Sequence, residues 1–446
     1  MLSKFVLILF LQIYVATCHQ DGDALFLTPL IKRGNITEAQ RLSKVGGFLA
    51  YPEITSYSGY ITVNEEYNSN LFFWFFSAQN NSSDAPVWLW SEGGPGITGL
   101  HSLFSHNGPY FLEEDKHIRL RNNSWHMTQN IIYLVSPVGV GFSFTQNDAA
   151  YVKSSEEAAP PIYEFLLQFF QLFPHLAQND FYNGGVSYGA SYASVLANYI
   201  HTQNQNSPEF AINLKGILLE SPWVDPIAQF DYSTYLHNVA IIDDKTKREC
   251  DVTADIVKEQ INQGNYLGAF ATWQQLVGSI PAAAGFYPMY NIIKDTINYP
   301  NFTDLVNSEP CRRSLHVGNI SFSFVSPRVQ SDMHNNFMAS VKSHLESVLN
   351  AGYKAIMYVG NLDAGLPGVA DMVKNLNWDG ADELNNSTRG IWRVDGKVAG
   401  YLNSARNANY IVMRNAGHGC NGDQPEWGFD LVNRFTKGDS FIEVVK

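Results

Sequence analysis

Charge is scarce in this chain. Asp, Glu, Lys and Arg make up only 16% of its 446 residues, against 45% apolar residues. That balance suits a compact globular protein with ample length for a large core, or for a core plus an inserted subdomain. Basic residues are the scarcer kind, 29 against 42 acidic ones, for a net charge of −13. Nucleic acid and acidic lipid are therefore disfavoured as partners. There is no zinc-protease motif, no P-loop and no dinucleotide fingerprint, so neither metal nor cofactor is expected. Internal repeats and low-complexity segments are absent too. Past the N-terminus no run is long and apolar enough to span a membrane, and Glu443-Val444-Val445-Lys446 is not a retention signal.

The one long apolar run is Phe5 to Val15. Lys4 precedes it, and Ala16-Thr17-Cys18 resembles a cleavage site, so residues 1–18 read as a signal peptide. Export to a secreted or lysosome-like lumen is the expectation. Sequons at Asn35, Asn80, Asn81, Asn122, Asn301, Asn319, Asn385 and Asn386 agree with it. Cysteine is scarce: four in all, three once Cys18 leaves. In an oxidising compartment Cys250 and Cys311 are expected to pair. Cys420 is then a free thiol, either core packing or an oxidisable group near the site.

What is present is Gly185-Val186-Ser187-Tyr188-Gly189. The apolar pair Phe181-Tyr182 precedes this G-x-S-x-G, and a helix-compatible stretch, Ala190 to Ile200, follows. The order fits a nucleophile elbow, with Ser187 on a sharp strand-to-helix turn. Such a serine becomes a nucleophile if a histidine takes its proton. In the α/β-hydrolase arrangement the acid and then the histidine follow the serine in the chain. Twelve histidines occur, and only His418 lies beyond His344. It sits in Ala416-Gly417-His418-Gly419, just after the apolar strand Tyr410–Met413. Asp363 stands just past the strand Ala355–Val359, where open α/β sheets place their sites. Any one of these residues alone reads as an ordinary loop residue; three in the right order favour catalysis. The strand Pro86–Trp90 leads into Gly93-Gly94-Pro95-Gly96, so the amides of Gly94 and Tyr188 are the expected oxyanion donors.

Three regions follow from this. Residues 19–225 form a first core part, which opens on an antiparallel pair (Tyr60–Val63, Leu71–Phe76). Strands at Val87–Trp90, Ile131–Val135 and Ile217–Glu220 follow, with a helix over Ile162–Phe173 started by Pro160-Pro161. Residues 226–334 lack strand signals and carry helical patterns, such as Asp251–Gln263 and Leu267–Leu276. They read as an inserted cap. Residues 335–446 complete the core with a closing helix, Glu426–Phe435. The fold class expected is an α/β-hydrolase with a mostly helical inserted cap.

Ordered pieces along nearly the whole chain sharpen this reading. They include Leu25–Leu30, Tyr57-Ser58-Gly59-Tyr60, Asn70–Phe76, Gly93–Gly96, Gly108-Pro109-Tyr110 and Pro137–Phe144. Further on come Asn179–Tyr182, Leu315–Asn319, Val398–Tyr401, Ala416-Gly417-His418 and Asp423-Gln424-Pro425. Together they make the chain resemble the serine carboxypeptidase family, most of all its vitellogenic-carboxypeptidase-like branch. The resemblance implies an α/β-hydrolase fold, the triad Ser187, Asp363 and His418, and removal of C-terminal residues from peptides or proteins, usually at acidic pH.

The chain also departs from the family pattern. Val186 stands where a Glu usually precedes the nucleophile. His106 stands for a second Glu, and Glu92 for an Asn or Gln before the two glycines. Val135 replaces an Asp, Gly189-Ala190 reverses the usual Ala-Gly, and Gly419 to Gly422 replace an apolar stretch with Pro. The resemblance assigns the grip on the peptide's terminal carboxylate to the region of Trp90, Glu92, Gly93, His106 and Val186. A hydrolase with a rewritten end pocket is the favoured reading. A binding or storage protein with an impaired site is the alternative, and an acyltransferase a third. Glu92 is expected to repel a carboxylate unless it is protonated or paired with His106, which offers a positive charge.

Overall fold

Apolar runs of five to nine residues become the strands of one large sheet. The computed structural model describes residues 22–46, 51, 54–113, 117–206, 208–295 and 301–442. The expected signal peptide and the last four residues lie outside these. Twelve strands occur in chain order: β1 (Ser56–Asn64), β2 (Ser69–Phe76), β3 (Val87–Ser91), β4 (Tyr110–Leu112), β5 (Ile118–Leu120) and β6 (Asn130–Val135). Then come β7 (Phe181–Val186), β8 (Leu214–Glu220), β9 (Lys354–Gly360), β10 (Gly390–Val394), β11 (Lys397–Ala405) and β12 (Ala408–Met413). Ten of them form a single sheet in the order β1-β2-β6-β3-β7-β8-β9-β12-β11-β10, while β4 and β5 pair separately. The middle of the sheet, from β6 to β12, is parallel. Antiparallel strands flank it on both sides. This is an α/β-hydrolase fold.

Every residue of β2, β3, β6 and β7 is buried, as parallel and central strands covered on both faces require. The helix Ser155–Leu172 covers part of one face, with Phe165 and Phe169 at 5.4 and 6.2 Å from Phe73. It begins earlier than its proline pair suggests. Ser154 caps it by accepting the Glu157 N–H, and Pro160 and Pro161 lie inside it. The Ser-x-x-Glu spacing was the stronger start signal. The hairpin of β10 and β11 was also missed. Its turn is Asp395-Gly396, with φ of +47° and +76°, a strong short hairpin signal between alternating residues.

Between β8 and β9 the described residues hold helices and no strand, the longest being Asp244–Asn262 and Tyr266–Ala284. Among the described residues no helix is long and apolar enough to cross a membrane.

The expected Cys250–Cys311 bridge is not formed. Cys250 is buried on the helix Asp244–Asn262 beside Ser279, and Cys311 is buried on the separate short helix Glu309–Ser314. Both thiols are free, and burial pushes both above the ordinary thiol range. Cys420 is a third buried thiol, donating to the Gly417 carbonyl at 3.4 Å. Alkylation of the denatured, unreduced protein should therefore modify all three. Recovery of any of them in a disulfide-linked peptide would contradict this.

Candidate active site

The carboxyl ends of the parallel strands converge on one spot. β7 ends at Val186, and Ser187 turns the chain with φ at +59° into the helix Gly189–Gln205. A left-handed serine costs roughly 1–3 kcal/mol and persists only where its surroundings hold it. Here its N–H donates to the Glu220 carbonyl at 2.9 Å, and its carbonyl accepts the Trp223 N–H at 3.1 Å. The flanking glycines are steric necessities. A Cβ on Gly185 would lie 2.4 Å from the Gly189 carbonyl oxygen, and one on Gly189 would lie 2.4 Å from that of Ser91. The Gly189-Ala190 order thus follows from the approach of β3 to the turn. Ser187 itself stays partly exposed.

Asp363 lies three residues past β9, 2% exposed. Its Oδ1 accepts the N–H groups of Gly365 and Leu366 at 2.8 and 3.1 Å. Its Oδ2 faces His418 Nδ1 at 3.0 Å. That bond makes Nδ1 the donor and leaves Nε2 able to take a proton. The loop carrying His418 passes close over β9: a Cβ on Gly360 would lie 2.1 Å from the Ala416 carbonyl. His418 is held by its own N–H to the Tyr290 carbonyl at 2.7 Å, and by Ser221 Oγ to its carbonyl at 3.0 Å. Tyr290 packs its ring 4.9 Å from the imidazole. The last residue of β8 and the one after it therefore tie the Ser187 amide and the His418 carbonyl to one point. Burial pulls the His418 pKa down. The Asp363 charge and hydrogen bond outweigh that, with help from Glu220 and Glu92, and the net shift is upward.

The loop after β3 closes the site. A Cβ on Gly93 would lie 2.8 Å from Ser187 Cβ and 3.1 Å from Tyr188 N. Gly94, at φ +113°, is therefore set beside the elbow. Among the described residues neither the Gly94 nor the Tyr188 amide donates to a loop or strand carbonyl.

The residues expected to meet a terminal carboxylate are arranged differently from expectation. Glu92 is buried, and its partner is His101 rather than His106: Oε2 faces His101 Nδ1 at 3.2 Å and accepts Ser102 Oγ–H at 2.5 Å. Its Oε1 accepts the Gly93 N–H at 3.0 Å. Burial pushes the carboxyl up, but the contacts with His101 and Ser102 bring it down to about 2. Glu92 is thus a carboxylate already seated on the Gly93 amide. His106 offers no positive charge: burial and the neighbouring His101 push it down to about 3. Trp90 and Val186 are 0% and 1% exposed, and Trp90 Nε1 donates to Ser102 at 2.9 Å. Neither side chain reaches the surface. His101, Ser102, Tyr290 and Glu220 were missed by sequence reasoning. Their part depends on which loops meet, and no local spacing announces it.

Neutral buried histidines make the fold acid-sensitive. His106 titrates near 3, and burial holds His126 near 4, both below the ordinary 6.5. A depressed pKa contributes stability that is full above about 6.5 and lost as pH falls towards the folded value. His126→Gln should therefore reduce the stability lost between pH 7 and 5 by about 2 kcal/mol. Denaturant titration of both proteins at the two pH values checks this, and equal losses would refute it.

Comparison with known proteins agrees with this architecture. The family model described as serine carboxypeptidase matches residues 47–438. A venom serine carboxypeptidase of Apis mellifera is 34% identical over 443 residues, covering 96% of this chain and 94% of its own. The vitellogenic carboxypeptidase of Aedes aegypti is 34% identical, covering 94% and 90%. The probable serine carboxypeptidase CPVL of Mus musculus is 35% identical, covering 93% and 89%. Among solved structures, the prohormone-processing carboxypeptidase Kex1(delta)p of Saccharomyces cerevisiae superposes with a TM-score of 0.77. It is 20% identical and covers 90% of this chain and 96% of its own.

Proposed function

The chain belongs to the serine carboxypeptidase family, and from that premise we propose an exported hydrolase that acts at peptide C-termini through Ser187, His418 and Asp363 and disfavours a free terminal carboxylate. Ser187 Oγ attacks the scissile carbonyl while His418 Nε2 takes its proton. Asp363 holds the imidazole and stabilises the imidazolium that forms. The amides of Gly94 and Tyr188 receive the oxyanion. His418 returns its proton to the leaving group, and water then releases the acyl-enzyme by the same route.

The observation that carries the catalytic part is the 3.0 Å Asp363–His418 pair, tied through Ser221 and Glu220 to the amide of a left-handed Ser187. The ionised Glu92 on the Gly93 amide supports the end preference. It fills the place where a terminal carboxylate would bind and repels one that approaches. Export is supported by the eight sequon asparagines, each of them exposed, and by relatives named as venom and vitellogenic carboxypeptidases. The raised His418 pKa supports an acid limb above 6.5, since the base must be neutral to act. The direct test is labelling with a serine-directed phosphonate, followed by peptide mapping. A modified peptide containing Ser187 is expected; an unlabelled protein at every pH would refute the reading.

A further inference from the structure

Glu220 is a fully buried carboxyl that the triad chemistry does not use. It ends β8, opposite Val186 in the register with β7. Its carbonyl accepts the Ser187 N–H at 2.9 Å. Its side chain points into the turn that follows the base. Oε1 accepts the Asn421 N–H at 3.0 Å and Oε2 accepts Asn421 Nδ2–H at 2.7 Å. Asn421 Nδ2 also donates to the Tyr358 hydroxyl at 2.7 Å, on the strand that leads to Asp363. The next residue, Ser221, donates its N–H to the Tyr358 carbonyl at 2.7 Å and its hydroxyl to the His418 carbonyl. One residue thus touches all three triad-bearing segments: the elbow by its backbone, the base's turn by its side chain, and the acid's strand through Asn421. A carboxyl without solvent is costly unless every lone pair is used, and a network satisfied this way rigidifies what it joins.

We propose that Glu220 is a positioning residue for hydrolysis: paired with Asn421, it fixes the turn carrying His418 against the nucleophile elbow. Asn421 lies within the stretch Gly419–Gly422, where the chain departs from the pattern of its family. The groups facing the Glu220 carboxyl are Tyr358 from β9, His418 and Cys420 from the loop after β12, and Glu92 from the loop after β3. Burial dominates and pushes the carboxyl up to about 8, against the hydrogen bonds from Asn421 and Tyr358. The inference rests on the triad reading above.

The test compares kcat and KM on a small ester substrate. Glu220→Gln keeps the shape but turns an N–H against the donors of Asn421. Misplacing a base by about 1 Å costs on the order of 10²-fold in rate. A fall of about that size in kcat is expected, with KM unchanged within about twofold. Adding Asn421→Asp restores complementarity: the Gln amide donates to the new carboxylate, its oxygen still accepts the backbone N–H, and Tyr358 donates instead of accepting. The double variant should regain most of the lost kcat. If Glu220→Gln does not fold, Asn421→Ala removes the Nδ2 bonds alone and should show the same kcat-only loss. Wild-type kcat in the single variant, or a folded double variant no better than the single, would overturn the proposal. Because wild-type turnover of the ester tests the triad itself, an active wild type with unaffected variants sinks this inference alone.

Discussion

Ser187→Ala is expected to remove turnover through an acyl-enzyme altogether, and Asp363→Asn to lower kcat by about 10⁴-fold. The two losses have different causes. Alanine removes the atom that forms the acyl-enzyme. Asparagine presents an N–H or a neutral oxygen to Nδ1, so the imidazole loses both its fixed tautomer and the charge that stabilises its cation. That charge is the chief influence raising the His418 pKa against burial. Asp363→Asn should accordingly move the acid limb of any residual activity downward. His418→Ala should cost as much as the serine change, because residues that act as a unit fail as a unit. The variants should fold, since Ser187 is held by its backbone and Asp363 by loop amides that an asparagine oxygen can still bind. Rates on a common ester, with the unfolding transition recorded alongside, check this. Turnover by Ser187→Ala close to wild type would place the nucleophile elsewhere.

Glu92→Gln is expected to raise kcat/KM on free-acid peptides by about two to three orders of magnitude and to leave amide-ended peptides within a few-fold. Two like charges about 4 Å apart repel by about 4 kcal/mol at an effective dielectric near 20, equivalent to about 10³-fold. The substitution suits the site. Gln Oε1 still accepts the Gly93 N–H, and its amide donates towards Ser102 and His101, both able to accept. The charge is removed while the packing stays. An unchanged ratio between the two substrates would show that Glu92 does not face the peptide end.

Much of this site could be read from the chain because its parts have local causes. The elbow glycines are there to clear the carbonyls of Gly189 and Ser91, and that requirement is written into five consecutive residues. Asp363 and His418 follow apolar runs that pair in register as β9 and β12, so their positions come with the strands. The antiparallel pair at the β1–β2 edge was legible for the same reason, while the β10–β11 hairpin at the other edge was not. What failed were the relations between segments. Glu92 finds its imidazole partner nine residues on, at His101, and not at His106; both lie on or beside one short helix, and only its orientation distinguishes them. Cys250 and Cys311 suited an oxidising compartment, yet each is buried as a free thiol on a separate helix. Glu220 looked like the polar end of a strand. Its role appears only where the loops after β7, β9 and β12 meet.

The central claim is a working triad beside an end pocket that already holds its own carboxylate. The most direct test measures wild-type kcat/KM on one peptide as free acid and as C-terminal amide, from pH 4.5 to 8.5. The account predicts faster turnover of the amide at every pH, with both rates rising through an acid limb above 6.5 as His418 loses its proton. A clear free-acid preference with an acidic optimum would contradict it, as would the absence of turnover of either substrate.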